Sequence, residues 1–166
     1  MCLPQIRIER NLRCLTLLWA IVILWGFFRS TALAADSAVI LMYHRFGEAG
    51  HAQTNTTIEQ FEWHLAELEN SKYTVLPIPE ILHKLKAGTS LPERTIGISI
   101  DDAFLSVFTV AFPRLKQRGL PFTLFIATQP IDQNLRDYMN WDQIRELHDA
   151  GVTIGSQTHT HLHMAR

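Results

Sequence analysis

The sequence predicts an α/β fold with a parallel sheet, because short apolar runs alternate with helical patterns along the chain. Continuous apolar runs such as Ala38–Tyr43 and Phe122–Ile126 are typical of strands that are buried on both faces. A third run, Ile96–Ile100, alternates isoleucine with glycine and serine and leads into the adjacent acids Asp101 and Asp102. Sites in parallel α/β sheets lie at the carboxyl ends of the strands, so this acid pair is the first candidate site.

The remaining elements follow from the same patterns. The five predicted strands are Ala38–Tyr43, Tyr73–Leu76, Ile96–Ile100, Phe122–Ile126 and Val152–Ser156. Helices are predicted from Thr57 to Leu68, Pro79 to Gly88, Phe104 to Arg118 and Trp141 to Ala150, where apolar residues recur at helical spacing. Asn140 and Gln143 can form a capping box at the start of the last helix, and Pro113 predicts a kink or a late start in the third. The polar segment Glu48–Thr57 is predicted to be a loop.

Residues 1–34 have the pattern of an export signal. Three arginines precede the apolar run Leu15–Phe28, and the small residues Ala32–Ala34 then suit signal peptidase. A retained membrane anchor is the alternative, since the run is only slightly shorter than a membrane span. We therefore expect a periplasmic or extracellular protein, comprising residues 35–166, whose contact with the membrane is limited to this N-terminal segment.

Charge and cysteine content restrict the chemistry of residues 35–166. Residues 1–34 contain both cysteines, four of the 15 basic residues and one of the 16 acidic residues. The remainder has 11 basic against 15 acidic residues, a formal net charge of −4. This balance argues against a nucleic-acid partner, because phosphate binding needs clustered Lys and Arg. Without cysteine, any metal in this part must be held by histidine, carboxylate or amide groups.

The acid pair has a functional and a structural interpretation. Two adjacent carboxylates resist joint ionisation, which suits one of them to hold a metal and the other to exchange protons. Alternatively, Asp101 and Asp102 cap a helix and occupy its first turn, where the helix dipole favours acids.

A histidine cluster follows the last predicted strand. His159, His161 and His163 alternate, so in an extended conformation they would share one face, like the HxH ligand pairs of zinc enzymes. In a helical turn, Gln157 and His161 would converge instead. The alternative is a solvated loop without a ligand.

Together these segments resemble the polysaccharide deacetylases, the NodB-homology or carbohydrate esterase family 4 domain. The similarity covers nearly all of the chain from Ala38 onward. The segments that carry it are LMYHRF (41–46), SIDDAF (99–104), FPRLKQRGLPFTLFI (112–126), NWDQIREL (140–147) and IGSQTHTHLHM (154–164). The resemblance implies a distorted (β/α) barrel that removes N- or O-acetyl groups from a sugar polymer, with a divalent metal held by one Asp and two His.

Carried over to this chain, the resemblance makes Asp101 the general base and makes Asp102 and His161 metal ligands. Gln157 occupies the position of the first metal histidine, and an amide oxygen is a weaker ligand for zinc than imidazole. His159 could replace it if the loop reshapes, or the site prefers a harder metal. The expected cofactor is thus a divalent ion, zinc or cobalt, bound more weakly because of Gln157.

The resemblance also bears on His44 and Ala103. His44 follows the first strand and is expected to line the substrate site. Ala103 stands where the first motif of the family usually has glycine.

We expect the later motifs of the family to have no counterpart before Arg166, so residues 35–166 correspond to the N-terminal part of the barrel. A partner that completes the barrel is then expected, or else a truncated chain of little activity.

The expected function is metal-dependent removal of acetyl groups from an oligo- or polysaccharide that contains N-acetylglucosamine. One alternative is a catalytically inactive, carbohydrate-binding relative. The other is a different metal-dependent amide or ester hydrolase in which His159 and His161 form the metal-binding pair.

Overall fold

The computed structural model describes residues 37–70 and 72–162. The predicted export signal, residues 1–34, and His163 lie outside them. The predicted α/β class and parallel sheet are confirmed. In the described part of the chain, every helix is too short or too polar to span a lipid bilayer.

The strands pair in parallel throughout the main sheet. The seven strands are β1 (Val39–Tyr43), β2 (Arg45–Phe46), β3 (Asn55–Thr56), β4 (Thr74–Val75), β5 (Thr95–Asp101), β6 (Thr123–Ile126) and β7 (Thr153–Ser156). The main sheet has the order β1-β5-β6-β7, and β4 also pairs with β5. The carboxyl ends of β5, β6 and β7 are therefore neighbours, and the acid pair and the histidine loop meet there.

The short pair β2–β3 corrects the prediction that Glu48–Thr57 is only a loop. The two strands run parallel, and flanking hydrogen bonds join Arg45 N to the Thr54 carbonyl (3.0 Å) and Gly47 N to the Thr56 carbonyl (2.9 Å). Arg45–Phe46 and Asn55–Thr56 contain neither an apolar run nor an alternating pattern, which is why these two strands were not predicted.

The helices largely follow the sequence signals. They are α1 (Ile58–Glu69), α2 (Ile78–Lys86), α3 (Phe112–Gln117), α4 (Thr128–Asp132) and α5 (Trp141–Asp149). The predicted capping box is present at the start of α5, and a second one, between Thr57 and Gln60, begins α1. Helical residues run without a break from Leu105 to Gln117, close to the predicted range, and α3 is the part that follows a π-helical segment over Val107–Ala111. Pro113 comes directly after this segment, so the predicted irregularity lies within the helix and the helix does not start late. The five-residue helix α4 was not predicted.

One continuous core holds the sheet against its helices. Fully buried side chains from β5 and β6 belong to the same cluster as apolar side chains from α1, α3 and α5. Its members with almost no exposed surface include Phe61, Leu65, Ile98, Ile100, Leu115, Leu124 and Leu147. Ile100 immediately precedes the acid pair, so this packing fixes the position of the strand end that carries it.

Strand β1 lies at an edge of the sheet. Among the described residues it pairs only with β5. Val39, Ile40 and Met42 are 60%, 43% and 64% exposed. The strand therefore presents apolar side chains together with an unpaired backbone edge.

An ion-pair network joins α1 to α3. The Glu62 carboxylate accepts hydrogen bonds from Arg114 Nε (2.7 Å) and from Arg118 Nη2 (2.8 Å), and Arg118 Nε lies 3.5 Å from Glu69 Oε1. One carboxylate thus connects two guanidinium groups on a neighbouring element.

We expect Glu62→Ala to lower the free energy of unfolding by about 1 kcal/mol, since a network of this kind is worth more than one exposed pair. Urea unfolding of the full chain measures the change. The matched control is Glu80→Ala, whose carboxylate lies 3.9 Å from Lys84 one helical turn away. That variant should lose only about 0.2–0.5 kcal/mol. Equal losses in the two variants would contradict the network.

Candidate active site

The candidate site lies at the carboxyl ends of β5, β6 and β7. Just beyond the end of β5, Asp102 N donates to the Phe125 carbonyl (3.0 Å), and just beyond β7, Gln157 N donates to the Ile126 carbonyl (2.8 Å). Asp102 and Gln157 thus flank the end of β6 from its two sides. Because neighbouring strands lie about 4.8 Å apart, side chains from these positions can reach a common point above β6.

Asp102 and His161 form the closest acid–histidine pair of the site. His161 Nε2 lies 3.3 Å from Asp102 Oδ1, and the Asp102 side chain is largely buried while that of His161 is half-exposed. Two ligand atoms that each lie about 2.0–2.2 Å from one metal ion are separated by roughly 3 to 3.5 Å. The observed separation therefore fits a pair that binds one ion.

Gln157 is a third candidate ligand, because its backbone lies at the same strand end. Its Oε1 atom is buried and has no hydrogen-bond partner among the described residues. Leaving a buried amide oxygen without a partner is destabilising, and a bound ion is one way to satisfy such an acceptor. A carboxylate, an imidazole and an amide oxygen are all groups that bind divalent metals, and the neutral amide is the weakest of them towards zinc.

Asp101 lies beside the pair and is placed to exchange protons. Burial raises the pKa of its carboxyl group, with the neighbouring Asp102 adding to the rise, while His44 and His161 lower it. His44 Nε2 lies 3.9 Å from Asp101 Oδ2, which is an ion-pair distance and too long for a hydrogen bond. The structure thus places His44 beside Asp101, whose proton affinity is raised.

His159 has different neighbours. Its Nδ1 atom lies 2.8 Å from Thr128 Oγ1 and 3.9 Å from Asp132 Oδ2, both on α4. Trp141 Nε1 donates to the other oxygen of Asp132 at 2.9 Å. The structure therefore brings His161 to Asp102 and brings His159 to α4.

Left-handed backbone conformations are concentrated at the site. Asp102 (φ 73°), Ala103 (φ 52°), Thr158 (φ 66°) and His161 (φ 55°) are four of the six non-glycine residues with positive φ in the described chain. Such conformations cost energy in L-residues and persist where the surroundings impose them, which is common at functional sites. We call residues Asp101–Phe104 the acid turn.

Phe104, the last residue of the acid turn, and its two neighbours Arg45 and Tyr138 were not predicted as site residues. The Arg45 guanidinium carbon lies 3.4 Å from the centre of the Phe104 ring, and the Phe104 and Tyr138 rings are 4.8 Å apart. Burial raises the pKa of Tyr138, the Asp102 carboxylate adds to the rise, and Arg45 opposes it. A charged residue directly after His44 was the only sequence signal for Arg45, and nothing in the sequence pointed to Tyr138.

The described residues contain no group of three or more His, Cys, Asp or Glu side chains placed to hold a metal ion.

Residues 88–166 match the family model described as polysaccharide deacetylase. Over this segment the chain is similar to the polysaccharide deacetylases. The segment contains the acid pair, the histidine loop and the strands that bring them together, so the match covers the whole candidate site apart from His44.

Several named proteins and solved structures are similar to this chain. A poly-beta-1,6-N-acetyl-D-glucosamine N-deacetylase of Staphylococcus aureus is 27% identical over 143 residues, which cover 76% of this chain and 49% of that protein. The solved structure of IcaB from Ammonifex degensii is 27% identical with a TM-score of 0.66 and covers 79% of this chain and 56% of that one. The Streptococcus pyogenes deacetylase PplD, solved in complex with acetate, has a TM-score of 0.67 at 20% identity, over 75% of this chain and 57% of that chain.

The solved structures confirm the expected fold, and this chain corresponds to only part of each of them. The parallel sheet corresponds to part of the (β/α) barrel of the deacetylases. The chain spans about half the length of the curated relatives that it matches.

The geometry of Ala103 leads to a stability prediction. Its side chain is buried in the core and its φ is 52°, a conformation that glycine adopts without the cost paid by alanine. We expect Ala103→Gly to change the free energy of unfolding by less than about 0.5 kcal/mol, because relief of the strain offsets the added chain entropy of the unfolded state and the loss of a buried methyl group. Urea unfolding of the full chain tests this.

The control for Ala103→Gly is Ala127→Gly. Ala127 is also buried and follows a neighbouring strand, but its φ is −90°. Glycine there should lower stability by about 0.5–1 kcal/mol. Equal losses of stability in the two variants would show that the acid turn is not strained at Ala103.

Proposed function

We propose that the chain contributes to metal-dependent removal of acetyl groups from a polymer or oligomer that contains N-acetylglucosamine. The observation that carries the proposal is the 3.3 Å contact between Asp102 and His161 beside Asp101, whose pKa is raised. The name of the Staphylococcus aureus relative supports the substrate class and the N-acetyl bond. We also propose that residues 35–166 form the N-terminal part of the deacetylase domain and that residues 1–34 direct its export.

Each site residue has a separate role in the proposed reaction. Asp102, His161 and Gln157 would hold a divalent ion, which when bound supplies Lewis acidity towards the acetyl carbonyl and a water molecule. Asp101 accepts a proton from the attacking water, because its burial raises its proton affinity towards that of a useful general base. His44 lies beside Asp101 and can contact the substrate at the mouth of the site.

A paired measurement on the full chain tests this function. Metal-free protein is titrated with cobalt and with zinc by calorimetry, and acetate release is then followed on N-acetylglucosamine oligomers with β-1,6 and with β-1,4 linkages. We expect one metal equivalent to bind and acetate to appear only in its presence. A folded protein that binds neither metal, or that binds metal without releasing acetate from any oligomer, would contradict the proposal.

A catalytically inactive, carbohydrate-binding relative is the second candidate. It is favoured by one observation, the lack of three His, Cys, Asp or Glu ligands in the described part of the chain. The same oligomers distinguish the two functions, because this candidate binds them without producing acetate.

A further inference from the structure

Arg45 carries a charge that is buried, and this residue has no role in the proposed reaction. Its side chain is 11% exposed, and it follows His44 in the short strand β2. An arginine is rarely buried unless it is paired, because removing a charge from water is costly. The position of its guanidinium group therefore needs an explanation.

Two contacts account for that position. Arg45 Nη1 donates to Glu48 Oε2 at 2.5 Å, and the guanidinium carbon lies 3.4 Å from the centre of the Phe104 ring. A guanidinium group over an aromatic face is attracted by the ring, and more strongly when water is excluded. Phe104 is itself buried and forms the last residue of the acid turn.

The other side of the turn is held by the segment that precedes α5. Leu105 N donates to the Asp137 carbonyl (2.8 Å), and Met139 N donates to the Ala103 carbonyl (2.9 Å). An antiparallel bridge also joins Phe104 to Tyr138. Phe104 is thus held between the Arg45 guanidinium and the Tyr138 ring, directly after the two residues with left-handed backbone.

We propose that Arg45 is a positioning residue, which holds Phe104 and thereby keeps the acid turn in the left-handed conformation that brings Asp102 to His161. The role is indirect, since Arg45 acts through the ring of Phe104. The inference rests on the proposed function for its effect on metal binding, but not for its effect on the conformation of the turn.

The test compares Arg45→Met with Arg114→Met in the full chain. Methionine keeps much of the apolar volume of arginine and removes the charge in both variants. Arg114 also pairs with a glutamate, Glu62, but it connects α1 with α3 and does not contact the acid turn. It therefore controls for the general loss of an arginine–glutamate pair.

Two readouts are measured under conditions in which each variant is folded. The first is amide hydrogen exchange of Asp102, Leu105 and Met139, whose N–H groups form the hydrogen bonds that join the turn and its end to β6 and to the segment before α5. The second is the affinity for cobalt with its visible absorption spectrum. In Arg45→Met we expect faster exchange at these three amides, an altered spectrum and a loss of affinity of about tenfold or more, as for residues that orient metal ligands. Arg114→Met should change neither readout.

The outcomes separate this inference from the proposed function. Unchanged exchange and cobalt affinity in Arg45→Met would overturn the inference. If the wild-type chain binds no cobalt, the proposed function fails, and the exchange rates alone decide the role of Arg45. If Arg45→Met does not fold, Arg45→Lys replaces it under the same criteria, because lysine keeps the charge but lacks the planar group that stacks on Phe104.

Discussion

Asp101→Asn is expected to leave metal affinity nearly unchanged while lowering the rate of acetate release by about 10²–10⁴-fold, the usual contribution of a positioned general base. Asparagine preserves the shape of the side chain but cannot accept a proton. Asp101 suits this role because burial raises its pKa and because it lies next to the Asp102–His161 pair, which is proposed to bind the metal, without belonging to it. Calorimetric titration with zinc and a coupled acetate assay on the same preparation measure the two effects.

Asp102→Asn is the matched control for Asp101→Asn. The same chemical change at Asp102 removes a negatively charged candidate metal ligand that lies 3.3 Å from His161 Nε2, so the metal affinity itself should fall. The two neighbouring carboxylates then give opposite patterns, with binding retained in one variant and lost in the other. Loss of metal in both variants, or full activity of Asp101→Asn, would show that the roles are assigned wrongly.

Gln157→His is expected to bind zinc at least about tenfold more tightly than the natural chain, because imidazole is a stronger ligand for zinc than a neutral amide oxygen. The position is suited to the change, since Gln157 follows β7 beside the end of β6 and its Oε1 atom is buried without a partner in the described chain. Competition against a chromogenic chelator gives the affinities of the two proteins.

A histidine placed elsewhere controls for a general increase in metal binding. Gln133→His adds the same group at an exposed position after α4 and should leave the affinity unchanged. Combining Gln157→His with Asp102→Asn should abolish the gain. An equal affinity in Gln157→His and in the natural chain would indicate that residue 157 does not face the metal.

The sequence predicted those parts of the fold that depend on local patterns. The apolar runs predicted β1, β5 and β6, and the capping signal at Asn140 predicted the start of α5. These features could be found because strand burial and helix caps leave their marks within a few neighbouring residues. Pro113 likewise indicated an irregularity in its helix, which the structure shows as a π-helical segment over Val107–Ala111.

The site was harder to predict because its geometry depends on contacts between distant segments. The spacing of His159 and His161 suggested a shared face in an extended chain, but left-handed residues such as Thr158 redirect the loop. His161 reaches Asp102, whereas His159 contacts Thr128 on a helix that the sequence did not indicate. Arg45 likewise stacks on Phe104, nearly sixty positions away in the sequence, and no local sequence pattern predicts this contact.

The edge strand β1 also affects how the protein behaves in concentrated solution. Val39–Tyr43 contains no charged residue or proline, and three of its apolar side chains are exposed beside an edge that is unpaired in the described part of the chain. Natural proteins usually protect such edges with lysine, proline or a bulge, because an open apolar strand recruits other chains into intermolecular sheets. Strand β1 is therefore the segment at which we expect aggregation to begin.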